Sequence, residues 1–215
     1  ISQKSRKNQY YRILSEFMLQ QTQVKTVIPY FNNFVEKIPN LKALSQSSEK
    51  KILKLWEGLG YYRRARNLHK TAKVLIKNYK SKIPEEFAEI KKLPGIGDYT
   101  ANILLALIYN QPRIGVDGNV KRIFIRIFNK KIDIYRFRFK KKSNKNFPNN
   151  RNADIAEALM EFGAVICKPK NPQCNICSLK NYCYYFKNKN FILRKKNFFI
   201  KEKKYNIYCY LKKEK

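Results

Sequence analysis

The sequence predicts an all-α protein. Apolar residues recur at three- and four-residue spacing, the loops between those stretches are short, and no strand-like alternation breaks the series before the basic segment after residue 128.

The elements follow in order. Tyr10–Thr22 reads as a helix with Tyr10, Ile13, Leu14 and Phe17 on one face, and Glu16 and Gln20 along its border. A carboxylate at the edge of an apolar face is partly desolvated, which keeps it protonated near neutrality, as a general acid requires; for this helix read alone, a solvated surface glutamate is the plainer reading. Val24–Ile38 continues as helix and stops near Pro39. Ser48–Leu59 sets Ile52, Leu55, Trp56 and Leu59 at helical spacing and ends at Gly58 and Gly60. Tyr61-Tyr62-Arg63-Arg64 comes next, aromatics suited to stacking beside arginines suited to phosphate. Leu68–Tyr79 is helical, and its His69, the only histidine, is expected in a core or capping role. Pro84 then starts Glu85–Lys92 from a first-turn position.

The stretch Leu93–Asp117 organises the rest. In Leu93-Pro94-Gly95-Ile96-Gly97 two glycines bracket one apolar residue, suiting a tight turn or a close backbone approach. N–H groups exposed in such a turn, just ahead of a helix, make a site for a phosphate oxygen; an ordinary helical hairpin is the plainer reading. Tyr99–Tyr109 is apolar nearly all round and belongs inside a core. Asp117-Gly118-Asn119 opens the next helix, and Lys121–Phe128 carries Ile123, Phe124 and Ile127 on one face. Asn129–Arg151 holds nine Lys/Arg and one Asp, and is expected to be a loop or a poorly formed helix. Ala153–Ile166 restores a stripe of Ile155, Leu159 and Phe162, with Glu157 and Glu161 on the same helix.

Charge and cysteines narrow the function. The 215 residues include 47 Lys/Arg against 15 Asp/Glu, a formal net charge of +32. A polyanion is the simplest partner, nucleic acid first and an anionic membrane surface second, although a compositional bias to Lys, Asn and Ile also inflates charge. No apolar run reaches the roughly 18 residues of a spanning helix, and no signal peptide is visible, so a cytoplasmic location is expected. Cys167, Cys174, Cys177 and Cys183 form C-x6-C-x2-C-x5-C, with Cys209 apart. Such clustering without a secretory signature favours a metal over disulfides, either a [4Fe–4S] cluster or tetrahedral zinc. Lys168, Lys170 and Lys180 around it suggest a basic loop folded onto a phosphate backbone.

Six stretches in order carry a resemblance: Ser15–Val24 (SEFMLQQTQV), Trp56–Tyr62 (WEGLGYY), Ala65–His69 (ARNLH), LPGIGDYTA, Val116–Arg122 (VDGNVKR) and the four-cysteine spacing. Together they resemble the MutY family of adenine DNA glycosylases, in the helix-hairpin-helix superfamily. The resemblance covers roughly Tyr10 to Cys183. It implies an enzyme that removes adenine mispaired with 8-oxoguanine or guanine from double-stranded DNA, acting as a monomer. Glu16 then matches the acid that protonates the leaving base, and Asp117 the carboxylate that stabilises the oxocarbenium-like sugar and helps deliver water. Tyr99 stands where the related endonuclease III enzymes carry a Schiff-base lysine, which implies a hydrolase without β-lyase activity. Gln21 and Tyr61 or Tyr62 match wedge residues beside the flipped nucleotide, and unstacking a base costs about a few kcal/mol. Gly95 and Gly97 match the phosphate-holding hairpin; Gln20, Tyr99 and Lys121 join the DNA contacts. Leu19 and Glu157 match the base pocket. By resemblance alone, the four cysteines hold a [4Fe–4S] cluster.

The implied architecture is a six-helix barrel domain (17–118) facing an iron–sulfur domain (1–16 and 119–185), with DNA in the cleft between them. Three departures from the family stand out. An Arg- and Trp-containing segment precedes the Tyr10 helix in the family, where this chain has Ile1 and SQKSRKNQ. Asn129–Arg151 lacks the amphipathic helix expected there. Residues 186–215, with eleven Lys/Arg and two Glu, read as the truncated start of a C-terminal recognition domain, Phe198–Ile200 and Ile207–Leu211 being its first strands. The rival readings are an endonuclease III-like pyrimidine glycosylase, and a DNA-binding relative that has lost catalysis.

Overall fold

A computed structural model describes residues 8–129 and 151–188, and among these the regular structure is helical throughout. The order is α1 (Gln9–Leu19), α2 (Val24–Lys37), α3 (Leu41–Gln46), α4 (Glu49–Leu55), α5 (Arg63–Asn78), α6 (Phe87–Ile90), α7 (Asp98–Tyr109), α8 (Gly118–Phe128) and α9 (Asn152–Val165). Two 3₁₀ turns, Cys174–Ile176 and Lys180–Tyr182, lead to α10 (Tyr184–Lys187).

Polar residues set several helix starts. Asn8 Oδ1 accepts from the N–H groups of Tyr10 and Tyr11, Asn40 Oδ1 from Ala43 and Ser48 Oγ from Lys51, each satisfying first-turn donors that lack an intrahelical partner. Asn110 ends α7 and Asn129 ends α8 in the left-handed region, a stop that asparagine tolerates.

The large core joins α1 through α7, with Phe17, Phe34, Trp56, Leu68, Leu75 and Leu104 fully enclosed. α7 is buried on more than one side. Its Ala101, Leu104 and Leu105 belong to that core, while Ile103, Ala106 and Leu107 pack with Ala156 of α9 in a second one. A helix apolar all round needs cover on every side, and here two cores share it. A third cluster, Ile114, Val120 and Phe124, seats α8. α1 is one continuous helix whose Tyr10, Ile13 and Leu14 lie in the large core, so the expected division at residues 16 and 17 falls within a single element.

Three elements differ from the sequence reading; α4 stops at Leu55, short of the Leu59 expected, because Trp56 to Leu59 form a turn. α3 was not expected, because its two buried residues, Leu41 and Leu44, are too few to display a period. α5 starts at Arg63 rather than Leu68, since Arg64 and Ala65 are already buried. His69 is a core residue, with Nε2 3.4 Å from the Ser45 carbonyl oxygen. The loop or poorly formed helix expected over 129–151 and the strands expected at 198–200 and 207–211 lie, apart from the end residues Asn129 and Arg151, outside the described residues, as does Cys209.

Candidate active site

The site begins on the last two turns of α1. Glu16 is 7% exposed, and burial raises its pKa from 4.5 to about 7. Arg12 opposes that rise and Glu157 adds to it. Its carboxyl therefore holds its proton close to neutrality. Just beyond, Leu19, Gln20 and Gln21 line an open cleft of about 830 Å³ together with Tyr61, Tyr62, Gly95, Gly97, Tyr99, Thr100 and Asp117. Residues from four separated stretches thus face one space. Lys121, exposed on α8, does not line it, and Glu157 stands on α9 against Arg12.

Gln21 and Tyr61 both adopt positive φ, 58° and 48°, and Tyr61 is 63% exposed. One buried side chain anchors both. Arg64 donates to the carbonyl oxygens of Met18 and Gln20 at the end of α1, and to those of Leu59 and Gly60 before Tyr61. Its guanidinium also lies 5.6 Å from the Trp56 ring and 5.4 Å from the Tyr61 ring. The sequence grouped Arg64 with phosphate-reaching arginines; at 7% exposed it is instead an internal clip, because helix-end carbonyls need donors.

The glycine loop splits into two roles. Gly95 has φ +80°, and a Cβ there would come within 2.8 Å of Asn67 and 2.9 Å of the Phe17 ring. Gly97 has an ordinary φ of −94° and open space where a Cβ would be. The turn is tied down by Thr71 Oγ1, which donates to the Pro94 carbonyl oxygen at 2.9 Å, and by Gln20 Nε2, which donates to that of Gly95 at 3.3 Å. No side chain caps α7, which leaves first-turn N–H groups for an external acceptor.

Tyr99 packs its ring against Gly115, where a Cβ would meet Tyr99 Cε2 at 2.9 Å, and its hydroxyl donates to Met160 Sδ at 3.4 Å. Burial first, then the charges of Glu16 and Asp117, push its pKa well up, so the phenol stays neutral. Asp117 caps α8: Oδ1 accepts from the Val120 N–H at 2.7 Å and Oδ2 from Asn119 Nδ2 at 3.0 Å. Both oxygens are held by local donors, which fixes the carboxylate's direction.

The far end of α8 carries the cysteine loop. Arg122 Nε donates to the Cys167 carbonyl oxygen at 2.8 Å, and Nη2 to that of Gly163 at 2.7 Å. Arg126, 2% exposed, donates to the Lys168 and Pro169 carbonyl oxygens at 2.7 and 3.0 Å, and to Cys167 Sγ at 3.3 Å. Its guanidinium also lies 4.9 Å from the Tyr185 ring. Cys167, Cys174, Cys177 and Cys183 are free thiols lining one small cavity beside Arg126. The Cys174 thiol is pushed up, by burial first and then by the charge of the other three. Among the described residues no group of three or more His, Cys, Asp or Glu side chains is arranged to hold a single metal ion.

Residues 14–148 match the HhH-GPD superfamily of base excision DNA repair proteins. The chain belongs to that superfamily. It is 45% identical over 192 residues to the adenine DNA glycosylase of Buchnera aphidicola subsp. Baizongia pistaciae, covering 86% of this chain and 54% of that relative. The chain thus spans about half the length of the Buchnera relatives it matches. Its fold is similar to that of a thermostable thymine-DNA glycosylase, with a TM-score of 0.73 and 25% identity over 87% of this chain and 89% of that one. It is also similar to endonuclease III trapped as a covalent intermediate with DNA, at a TM-score of 0.70 and 25% identity over 84% and 85%.

In this superfamily member the sequence reading leaves Arg12 and Arg126 unremarked and takes Arg64 for a phosphate contact. Nothing local marks them among 47 basic residues. Only the partners that folding brings to them give them roles.

Proposed function

We propose that the protein is a monofunctional DNA glycosylase that hydrolyses the N-glycosidic bond of adenine mispaired with 8-oxoguanine or guanine. The observation that carries this reading is two carboxyl groups in unlike environments that both act on Tyr99: Asp117 lines the cleft, and Glu16 is buried on α1 just before Leu19 and Gln20, which line it. Glu16 is a buried acid protonated near pH 7, and Asp117 is a carboxylate held by two donors at the cleft wall. Glu16 donates its proton to a ring nitrogen of the adenine, and the electron pair of the breaking bond leaves with the base. Positive charge then grows on the sugar, where the Asp117 carboxylate stabilises it and orients the water that adds to the anomeric carbon. Tyr99 offers no amine and its phenol stays protonated, so no Schiff base forms.

Double-stranded DNA is the proposed partner. The uncapped start of α7 and the neighbouring Gly97 suit a phosphate, and the exposed Tyr61 and the turned Gln21 suit insertion into a duplex. Leu19 and Glu157 are assigned to the base pocket, with Gln20, Tyr62, Gly95 and Lys121 among the DNA contacts. We read the chain as acting as a monomer in the cytoplasm, divided as the sequence implied. No helix among the described residues is long and apolar enough to cross a membrane.

Four free thiols around one cavity, with a buried guanidinium beside them, make a donor set that fits a [4Fe–4S] cluster. Cys167, Cys174, Cys177 and Cys183 would hold it. Bound there, it would cross-link the loop as a structural group.

One assay tests the reading. The chain is incubated with duplexes holding adenine opposite 8-oxoguanine, adenine opposite guanine, or thymine glycol. Alkali-dependent strand cleavage at adenine alone is the expected result. Cleavage at thymine glycol without alkali would instead select an endonuclease III-like activity, and binding without cleavage a relative that has lost catalysis.

A further inference from the structure

Arg12 lies on α1 one helical turn before Glu16, so the two side chains leave the same face of that helix. Its Nη1 donates to Glu157 Oε1 at 2.9 Å, joining α1 to α9 across 145 residues of chain. The pair is sheltered, with 12% of the Arg12 side chain and 30% of that of Glu157 exposed. Ion pairs in open solvent contribute little, but an enclosed pair is screened less and costs more to break on one side only. Among the described residues these are the two charges that act on Glu16, in opposite senses: Arg12 favours its ionised form and Glu157 its protonated form. The Tyr99 phenol adjoins from α7, and Asp117 acts on that phenol from the head of α8.

We propose that Arg12 is a positioning residue of the reaction: it holds Glu157 on the base-pocket wall and, together with it, balances the charge that the catalytic acid faces. The consequence for catalysis rests on the glycosylase reading above, whereas the pairing does not. A matched pair leaves burial as the dominant influence on Glu16, so its proton affinity is set by the core. Either partner alone would upset that balance, and in opposite directions.

The experiment is a carboxyl titration of Glu16 by carbon-13 NMR in the DNA-free protein, for Arg12→Gln, Glu157→Gln and the double variant. Arg12→Gln leaves Glu157 facing the acid and should raise the Glu16 midpoint by roughly one pH unit. Glu157→Gln leaves the guanidinium and should lower it by a similar amount. The double variant should return close to the parent. Arg12→Lys keeps the charge and should also stay close to the parent, a rescue that a packing role would not produce. The alkaline limb of single-turnover adenine release should move with the same signs, because the protonated acid is the active form and the rate falls as pH rises through its pKa. Single variants that shift the midpoint in one common direction, or neither of which shifts it, would overturn the proposal. The titration needs no substrate, so the two readings fail separately. Opposite shifts without adenine release in the parent would sink the glycosylase reading and leave the charge balance standing.

Discussion

The two ends of α8 hold different kinds of structure. At its start, the cleft rests on helices with enclosed side chains: Phe17 and Met18 on the helix of Glu16, and Ile103 and Leu104 on the helix of Tyr99, are fully buried. At its end, the two 3₁₀ turns and α10 bury no residue at all, and Ile176 and Tyr182 are 68% and 78% exposed. The loop is held instead by arginine donors from α8 to its backbone. A segment that buries so little apolar surface cannot offset the entropy of ordering it, and small units of that kind are commonly stapled by a metal. The catalytic half carries its own stability, while the cysteine half has to borrow it.

The largest expected effect tests the cleft. Glu16→Gln keeps the shape and removes the proton donor, so adenine release should fall a hundredfold or more, to roughly the loss of a general acid. Mispair affinity in a gel-shift assay should survive. Near-parent turnover would mean that another group supplies the proton.

The same substitution has a stability signature with a definite sign. The folded Glu16 pKa, about 7, exceeds its unfolded value of 4.5, so folded protein binds the extra proton between these limits. Its contribution is fully present below pH 4.5 and is lost as pH rises through 7. Glu16→Gln should remove that slope and stabilise the protein above pH 7 by up to about 3 kcal/mol. Urea melts at pH 5 and pH 8 measure it; equal gains at both would break the argument.

The cysteine end should respond without disturbing the rest. Cys174→Ser, or prolonged chelation, should expose the chain near residues 167–187 to protease while helical circular dichroism stays within about a tenth of its starting amplitude. Wholesale loss of helix would erase the contrast between the two ends. Arg126→Met should loosen the same loop by about 1–3 kcal/mol through its unpaired carbonyls, read as faster hydrogen exchange there.

The smallest effect separates two glycines of one turn. Gly95→Ala meets a left-handed φ and two close neighbours, and should cost about 1–3 kcal/mol in thermal unfolding. Gly97→Ala meets neither and should leave stability nearly unchanged, yet weaken binding to all duplexes alike, since phosphate contacts position without specifying. A change of base preference in Gly97→Ala would contradict its place beside the phosphate.

Much of the fold is visible in one dimension. The periods of Tyr10–Phe17 and Ile155–Phe162 mark helices because each face repeats within a turn or two, the period from Ile52 marks α4 but runs past its end at Leu55, and the unbroken apolar run of α7 announces a buried helix. Glu16 at an apolar border, paired glycines before a helix and four clustered cysteines are local patterns too, and their chemistry is readable from residue type and spacing. What folding alone decided is who meets whom. Arg64 reaches carbonyls 44 to 47 residues away, Arg12 meets Glu157 across 145, and Arg126 lies against a loop 41 to 43 residues on. A sequence period records which face of an element is buried, but not the element that covers it. The role of a buried charge depends on that partner, so among 47 basic residues only the tertiary structure could tell a clip from a phosphate contact.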